Sequence, residues 1–234
     1  MEPPDDTASA AERGRLRARP AHREGGAPSR PAAGLHPIGL GGRRDGLLRV
    51  PDADEGAGGA LPLVVVLHGA GGNAQGALRL IEDAAPGALA LAPESRGATW
   101  DVILGAYGPD VAFLDAALRG VFARHPVDPR RVALAGFSDG ASYALSLAIG
   151  NGDLFTHALA FSPGFAAPPA QAGRPRVFVS HGVADDVLPI EACSRRLVPR
   201  LRAAGYEVRY REFPGGHFVP AELASEAVAM LDEG

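Results

Sequence analysis

Leu61 to Leu67 is an unbroken apolar run, Leu-Pro-Leu-Val-Val-Val-Leu. A strand with one wet face alternates polar and apolar residues. A run without alternation belongs to a strand buried on both faces, which needs a parallel sheet with helices covering each side. The rest of the chain supplies those pieces. Residues 110–124 carry Val111, Leu114, Leu118, Val121 and Phe122 at a period near 3.6, an amphipathic helix. Segments 89–93, 131–136, 157–161, 175–180 and 206–213 read as strands, and 74–84, 139–149, 190–204 and 219–232 as helices. Leu47 to Pro51 reads as a short edge strand, followed by a Gly-rich loop over 52–60. Strand and helix alternate through the second half. The expected fold class is therefore α/β, a mostly parallel central sheet with helices on both faces.

Residues 1 to 34 stand apart. They are rich in Pro, Ala, Gly and Arg and have almost no large apolar side chains, so they are expected to form a disordered tail. Its arginines, Arg13, Arg15, Arg17, Arg19 and Arg23, are nearly balanced by Glu2, Asp5, Asp6, Glu12 and Glu24, which argues against a nucleic-acid arm. The remaining chain, 35–234, is the right length for a single domain. All 23 basic residues are arginine, and the net charge of −4 leaves no footprint for nucleic acid or an anionic membrane. No apolar run approaches the ~18 residues of a membrane span, and the amino terminus lacks the apolar core of a secretory signal. The expected location is cytoplasmic. Cys193, the lone cysteine, rules out an intrachain disulfide. No His/Cys cluster has metal-ligand spacing, so neither a metal nor another cofactor is expected.

Chemistry concentrates at Gly136-Phe137-Ser138-Asp139-Gly140, where strand 131–136 turns into helix 139–149. Two glycines let strand and helix pass closely, and the serine hydroxyl stands clear of the sheet. Such a hydroxyl needs a base. Of the histidines after Ser138, His157 begins a strand and His181 ends one, and both precede the candidate acids. His217, in Pro214-Gly215-Gly216-His217-Phe218, lies just past the last strand, where a base can overhang the sheet edge. Between Thr156 and Ser180 there is no Asp or Glu, so the acid must come from the next turn, as Asp185 or Asp186. The oxyanion donors are expected to be the backbone N–H of Asp139 and that of Ala70 in His68-Gly69-Ala70-Gly71-Gly72. His68 itself is expected to brace that loop. The absence of any lysine excludes a Walker-type phosphate loop.

Together with His181-Gly182-Val183-Ala184-Asp185, these three motifs resemble the α/β-hydrolase superfamily, and within it the phospholipase/carboxylesterase group of serine esterases. The resemblance covers about residues 40 to 234. It implies an acyl-enzyme mechanism with Ser138, His217 and, by motif position, Asp185 as the triad. Asp186 stands where proline is common, and Asp139 where many relatives carry Gln. Lipases often carry a large lid after the sixth strand; here that site offers only 162–174, stiffened by Pro163, Pro168 and Pro169. An open cleft and small, short-acyl carboxylic esters are therefore expected, with Trp100, Phe137, Phe165 and Phe218 as candidate pocket residues. The same site could serve a thioesterase or peptidase, or the fold could be a catalytically silent binding module. The expected partner is a small-molecule ester, with no nucleic acid and no membrane span, and the sequence leaves the oligomeric state open between monomer and homodimer.

Overall fold

The valine run forms β3 (Leu61–Leu67), near the middle of an eight-stranded sheet. The structure is a computed structural model that describes residues 6–20, 32–52 and 59–233. The strands are β1 (Gly34–Pro37), β2 (Gly46–Val50), β3, β4 (Leu89–Pro93), β5 (Val127–Phe137), β6 (His157–Phe161), β7 (Arg176–Gly182) and β8 (Val208–Phe213), in the spatial order β1-β2-β4-β3-β5-β6-β7-β8. β2 runs antiparallel to both its neighbours, and every pairing from β4 across to β8 is parallel.

Alternation along β3 divides its side chains between two cores. Leu63, Val65 and Leu67 pack with α3 (Pro109–Arg124), α4 (Asp139–Gly150) and α5 (Ser194–Ala203). Val64 and Val66 face the other way, against α2 (Ala74–Arg79) and α6 (Ala221–Ala229). All five are fully buried, which is why the run tolerates no polar position. Because β3 to β8 are parallel, their carboxyl ends share one edge. The loops that follow β3, β5, β7 and β8 meet there.

Most expected elements are present with shifted ends. α2 stops at Arg79 and continues as turns, and α5 starts only at Ser194, after turns over residues 190–193. The final helix is α6 followed by a 3-10 turn, Met230–Asp232. β5 begins at Val127, earlier than expected. β1 was not foreseen: it is four residues long, pairs only with β2 and leaves Leu35 51% exposed, so no burial pattern marks it. The loop expected over 52–60 falls largely on 53–58, outside the described residues.

The tail expected over residues 1–34 needs correction where it is described. Residues 6–20 form α1 (Asp6–Glu12) and an extended strap lying on α3 and α4. Leu16 is 1% exposed. The strap carries few large apolar groups, but its backbone is held by polar groups buried on the body. Asn151 Oδ1 accepts the Leu16 N–H at 2.9 Å, and Asn151 Nδ2 donates to Gly14 O at 2.9 Å. Asp115 Oδ1 accepts the N–H groups of Arg17 and Ala18 at 2.6 and 2.7 Å. Composition does not reveal such attachment, because the partners lie about a hundred residues downstream. Residues 1–5 and 21–31 of that expected tail lie outside the described residues. Leu16→Ala is expected to cost ~2–5 kcal/mol, as large-to-small changes at buried sites do, read as a lowered urea midpoint; an unchanged midpoint would mean that the strap contributes nothing.

Candidate active site

Ser138 sits between β5 and α4 with φ 57° and ψ −122°. A non-glycine residue is rarely found there, and holding it costs roughly 1–3 kcal/mol. The surroundings impose the turn. A Cβ on Gly136 would lie 2.2 Å from Gly140 O, and one on Gly140 would lie 2.4 Å from Leu67 O. The strand, the helix and the end of β3 are thus in backbone contact, which no side chain at 136 or 140 permits. The same contact presses the loop after β3 against the elbow: a Cβ on Gly69 would be 3.4 Å from Ser138 Cβ.

The other half of the site is built the same way. Gly182 ends β7, and a Cβ there would lie 2.3 Å from the carbonyls of Gly215 and Gly216 in the loop after β8. The Ala184 N–H donates to Gly215 O at 2.9 Å. Loops separated by thirty residues are therefore stitched together, and they bring His217 to Asp185. His217 Nε2 is 2.9 Å from Ser138 Oγ, and His217 Nδ1 is 2.7 Å from Asp185 Oδ2. A carboxylate only accepts, so Nδ1 carries the proton and Nε2 is left to accept from the serine hydroxyl. Asp186, the alternative acid, is exposed.

Burial alone would raise the Asp185 carboxyl. Donation to it from the Leu188 N–H, then from His217 and the Val187 N–H, outweighs that and holds it below the usual carboxylate value. The ionised form of Asp185 is therefore favoured. Among the described residues, the N–H groups of Ala70 and Asp139 have no protein acceptor. They flank the serine, one on the loop touching it and one on the first residue of α4.

His68 is 2% exposed and braces its loop. Its Nε2 accepts the Ser95 N–H at 3.1 Å while Nδ1 donates to Gly69 O at 2.7 Å, and burial pushes its pKa down. Trp100 shares this bracing role, against the expectation that it lines a pocket. It is 1% exposed, stacks on Tyr143 and donates from Nε1 to His68 O at 2.8 Å. An indole so enclosed cannot meet substrate. Its loop is pinned by Asp110, which accepts from the N–H groups of Arg96 and Asp101 and whose pKa burial raises to about 6. The Asp139 carboxylate accepts from Thr99 Oγ1 at 2.6 Å.

Of the other aromatic candidates, Phe137 packs on the His217 ring at 4.6 Å between centroids, and Phe218 is 51% exposed beside the base. Phe165 does not join them. It lies on a groove of about 330 Å³ with Leu197, Leu201 and Tyr206, whose walls include none of Ser138, Asp185 or His217. Ser142 and Ser146 lie buried one and two turns along α4. They tie down the short loop over 162–174: Ser142 Oγ accepts the Gly164 N–H at 3.0 Å and Ser146 Oγ the Ala167 N–H at 2.9 Å. Their spacing of four was the available signal, a polar stripe on an otherwise apolar helix.

A family model described as "Putative esterase" matches residues 114–181, which include the elbow. No curated protein sequence matches the chain. Among solved structures, esterase PE8 is 27% identical, with 80% of this chain and 97% of that one covered at a TM-score of 0.62. A carboxylesterase from Mesorhizobium loti is 20% identical, covering 82% and 95%, at a TM-score of 0.64. The Staphylococcus aureus serine hydrolase FphF, described as fluorophosphonate-binding, is 14% identical, covering 80% and 92%, also at 0.64. Among the described residues no helix is long and apolar enough to cross a membrane. With this strand order, this elbow and these likenesses, the chain has the α/β-hydrolase fold and is similar to esterases.

Proposed function

We propose that the chain hydrolyses small, short-acyl carboxylic esters through an acyl-enzyme on Ser138. The observation that carries this reading is the continuous chain Asp185 Oδ2, His217 Nδ1, His217 Nε2, Ser138 Oγ, with gaps of 2.7 and 2.9 Å. Ser138 Oγ bonds to the ester carbonyl carbon as its proton passes to His217 Nε2. The carbonyl oxygen becomes an oxyanion and accepts from the N–H groups of Ala70 and Asp139, which have no protein acceptor among the described residues. Collapse breaks the C–O bond, and the alcohol leaves with the proton from Nε2. Water then attacks the acyl-enzyme, giving its proton to Nε2, and the second collapse returns that proton to Ser138 as the acid departs. Throughout, the ionised Asp185 stabilises the imidazolium.

The short-acyl preference rests on the loop over 162–174. It is too short to be a lid domain and is tied to α4 through Ser142 and Ser146, so the site is open to water rather than roofed by an apolar cover. Phe137 and Phe218 beside His217 offer apolar contact for a small acyl or alcohol group. The test is the initial rate on p-nitrophenyl esters of rising acyl length, with thioester and amide analogues alongside. kcat/KM is expected to be highest for the acetate and butyrate esters and to fall for octanoate and longer. A rise through the long chains, or faster turnover of the thioesters or amides, would overturn the assignment of substrate. Failure of a fluorophosphonate probe to label the folded protein would overturn the serine mechanism itself.

A further inference from the structure

His181 ends β7 and is fully enclosed, with 0% exposure. Both ring nitrogens are in use. Nε2 is 2.7 Å from Leu188 O, and Nδ1 is 2.6 Å from Ser194 Oγ. A carbonyl can only accept, so Nε2 carries the proton and Nδ1 accepts from the serine hydroxyl. Ser194 is itself 0% exposed at the start of α5, so water does not compete for that hydroxyl.

Nε2 also lies 3.3 Å from Asp185 Oδ2, the same oxygen that faces His217 Nδ1. Its N–H is donated to Leu188 O, and the carboxylate oxygen lies close beside that bond. In the opposite tautomer a lone pair would face both, and the repulsion would push the carboxylate turn away. Leu188 is held at both ends of its peptide units: its N–H donates to Asp185 Oδ1 at 2.8 Å, and its carbonyl accepts from His181. The imidazole therefore fixes the turn that aims the carboxylate, and it touches the carboxylate directly.

We propose that His181, held as its Nε2–H tautomer by Ser194, is a positioning residue that aims the Asp185 carboxylate at His217. This rests on the reading of Ser138, His217 and Asp185 as the reacting chain. The series of polar contacts then runs through five side chains, from Ser194 through His181, Asp185 and His217 to Ser138, with the His181–Asp185 link a 3.3 Å approach and the others hydrogen bonds. The charged or titratable groups around His181 are Asp185 on its own loop, His217 from the loop after β8, Glu212 on β8 and Cys193 before α5. Burial pushes the pKa of His181 down, which favours its neutral form.

The test compares His181→Leu, His181→Gln and Ser194→Ala by the pH profile of kcat/KM, with the folded fraction of each measured by urea unfolding. His181→Leu is expected to lower kcat by up to about 10²-fold, the scale of a small misplacement of a reacting group, with KM little changed. Its acid limb should move to lower pH, because a misaimed carboxylate stabilises the His217 imidazolium less. His181→Gln keeps an N–H near the Nε2 position and is expected to recover most of the rate. Ser194→Ala, which only frees the tautomer, should fall between them with the limb moved the same way; it carries the test where His181→Leu does not fold. A loss of rate that merely tracks the loss of folded protein, with the acid limb unmoved, overturns the proposal. So do wild-type rates in the His181 variants. Ser138→Ala in the same series separates the two readings: an inactive Ser138→Ala beside unaffected His181 variants removes the positioning role alone, whereas an active Ser138→Ala removes the triad beneath it.

Discussion

Ser138→Ala is expected to lower kcat by ~10³ or more, as the removal of an activated nucleophile does, and to leave the fold unchanged. The two expectations come from different features of the same residue. Alanine has a Cβ like serine, so it meets the same constraint at φ 57° and ψ −122°. That strain is imposed by the backbone contacts of Gly136 and Gly140 rather than by the hydroxyl. The hydroxyl accounts for one contact, to His217 Nε2 at 2.9 Å, where it is the donor. Deleting it leaves a half-buried imidazole nitrogen that water can reach, a small cost to stability. Turnover, by contrast, loses its covalent step. What remains is the oxyanion site acting on water attack, typically 10³–10⁴-fold over solution in enzymes of this kind. Steady-state rates on p-nitrophenyl acetate, fluorophosphonate labelling and a urea melt on the same preparation check the three parts. An active, correctly folded Ser138→Ala protein would sink the acyl-enzyme reading.

The sheet and the elbow were legible because each leaves a short-range mark. A valine run without polar breaks reports burial on both faces, and Gly-x-Ser-x-Gly between a strand and a helix reports a backbone contact. His217 was legible by position, since the loop after the last strand must end at the shared edge. The limits were set by distance along the chain. Whether Trp100 faces substrate or braces His68 depends on a contact thirty-two residues away. Whether residues 6–20 dock depends on Asn151 and Asp115, polar side chains whose buried role appears only once the strap lies against them. His181 looked like an ordinary strand-end histidine because its partners, Ser194 and Leu188, are ordered by the turn that follows rather than by the strand. Side chains that satisfy a remote backbone group leave no periodicity behind.

That distinction bears on the two adjacent acids, of which motif position favours Asp185 while elimination along the chain leaves both open. Asp185→Asn is expected to lower kcat by about 10⁴, the scale seen when a triad acid loses its charge but keeps its shape. Asp186→Asn should stay within about twofold of the parent, as surface changes away from a site do. The geometry of position 185 explains the size of the first effect. Oδ1 there accepts two backbone N–H groups, from Val187 and Leu188, so an asparagine is forced to keep its carbonyl oxygen on that side. Its NH₂ then occupies the place of Oδ2 and faces two donors, His217 Nδ1–H and His181 Nε2–H. The buried conflict is relieved when His217 switches tautomer, and Nε2 then carries a proton that it must lose before it can accept another from Ser138. Position 186 is exposed and imposes no such choice. A second readout follows from the ionisation of Asp185, whose folded value lies below the usual one. A depressed carboxyl stabilises the fold above its unfolded pKa, and that contribution is lost as pH falls through the folded value. The stability deficit of Asp185→Asn should therefore be largest near neutral pH and shrink in acid, followed by urea midpoints at several pH values. If only Asp186→Asn abolished turnover, the acid would have been assigned to the wrong neighbour, and the hydrogen bond at 2.7 Å between His217 and Asp185 would have no part in the reaction.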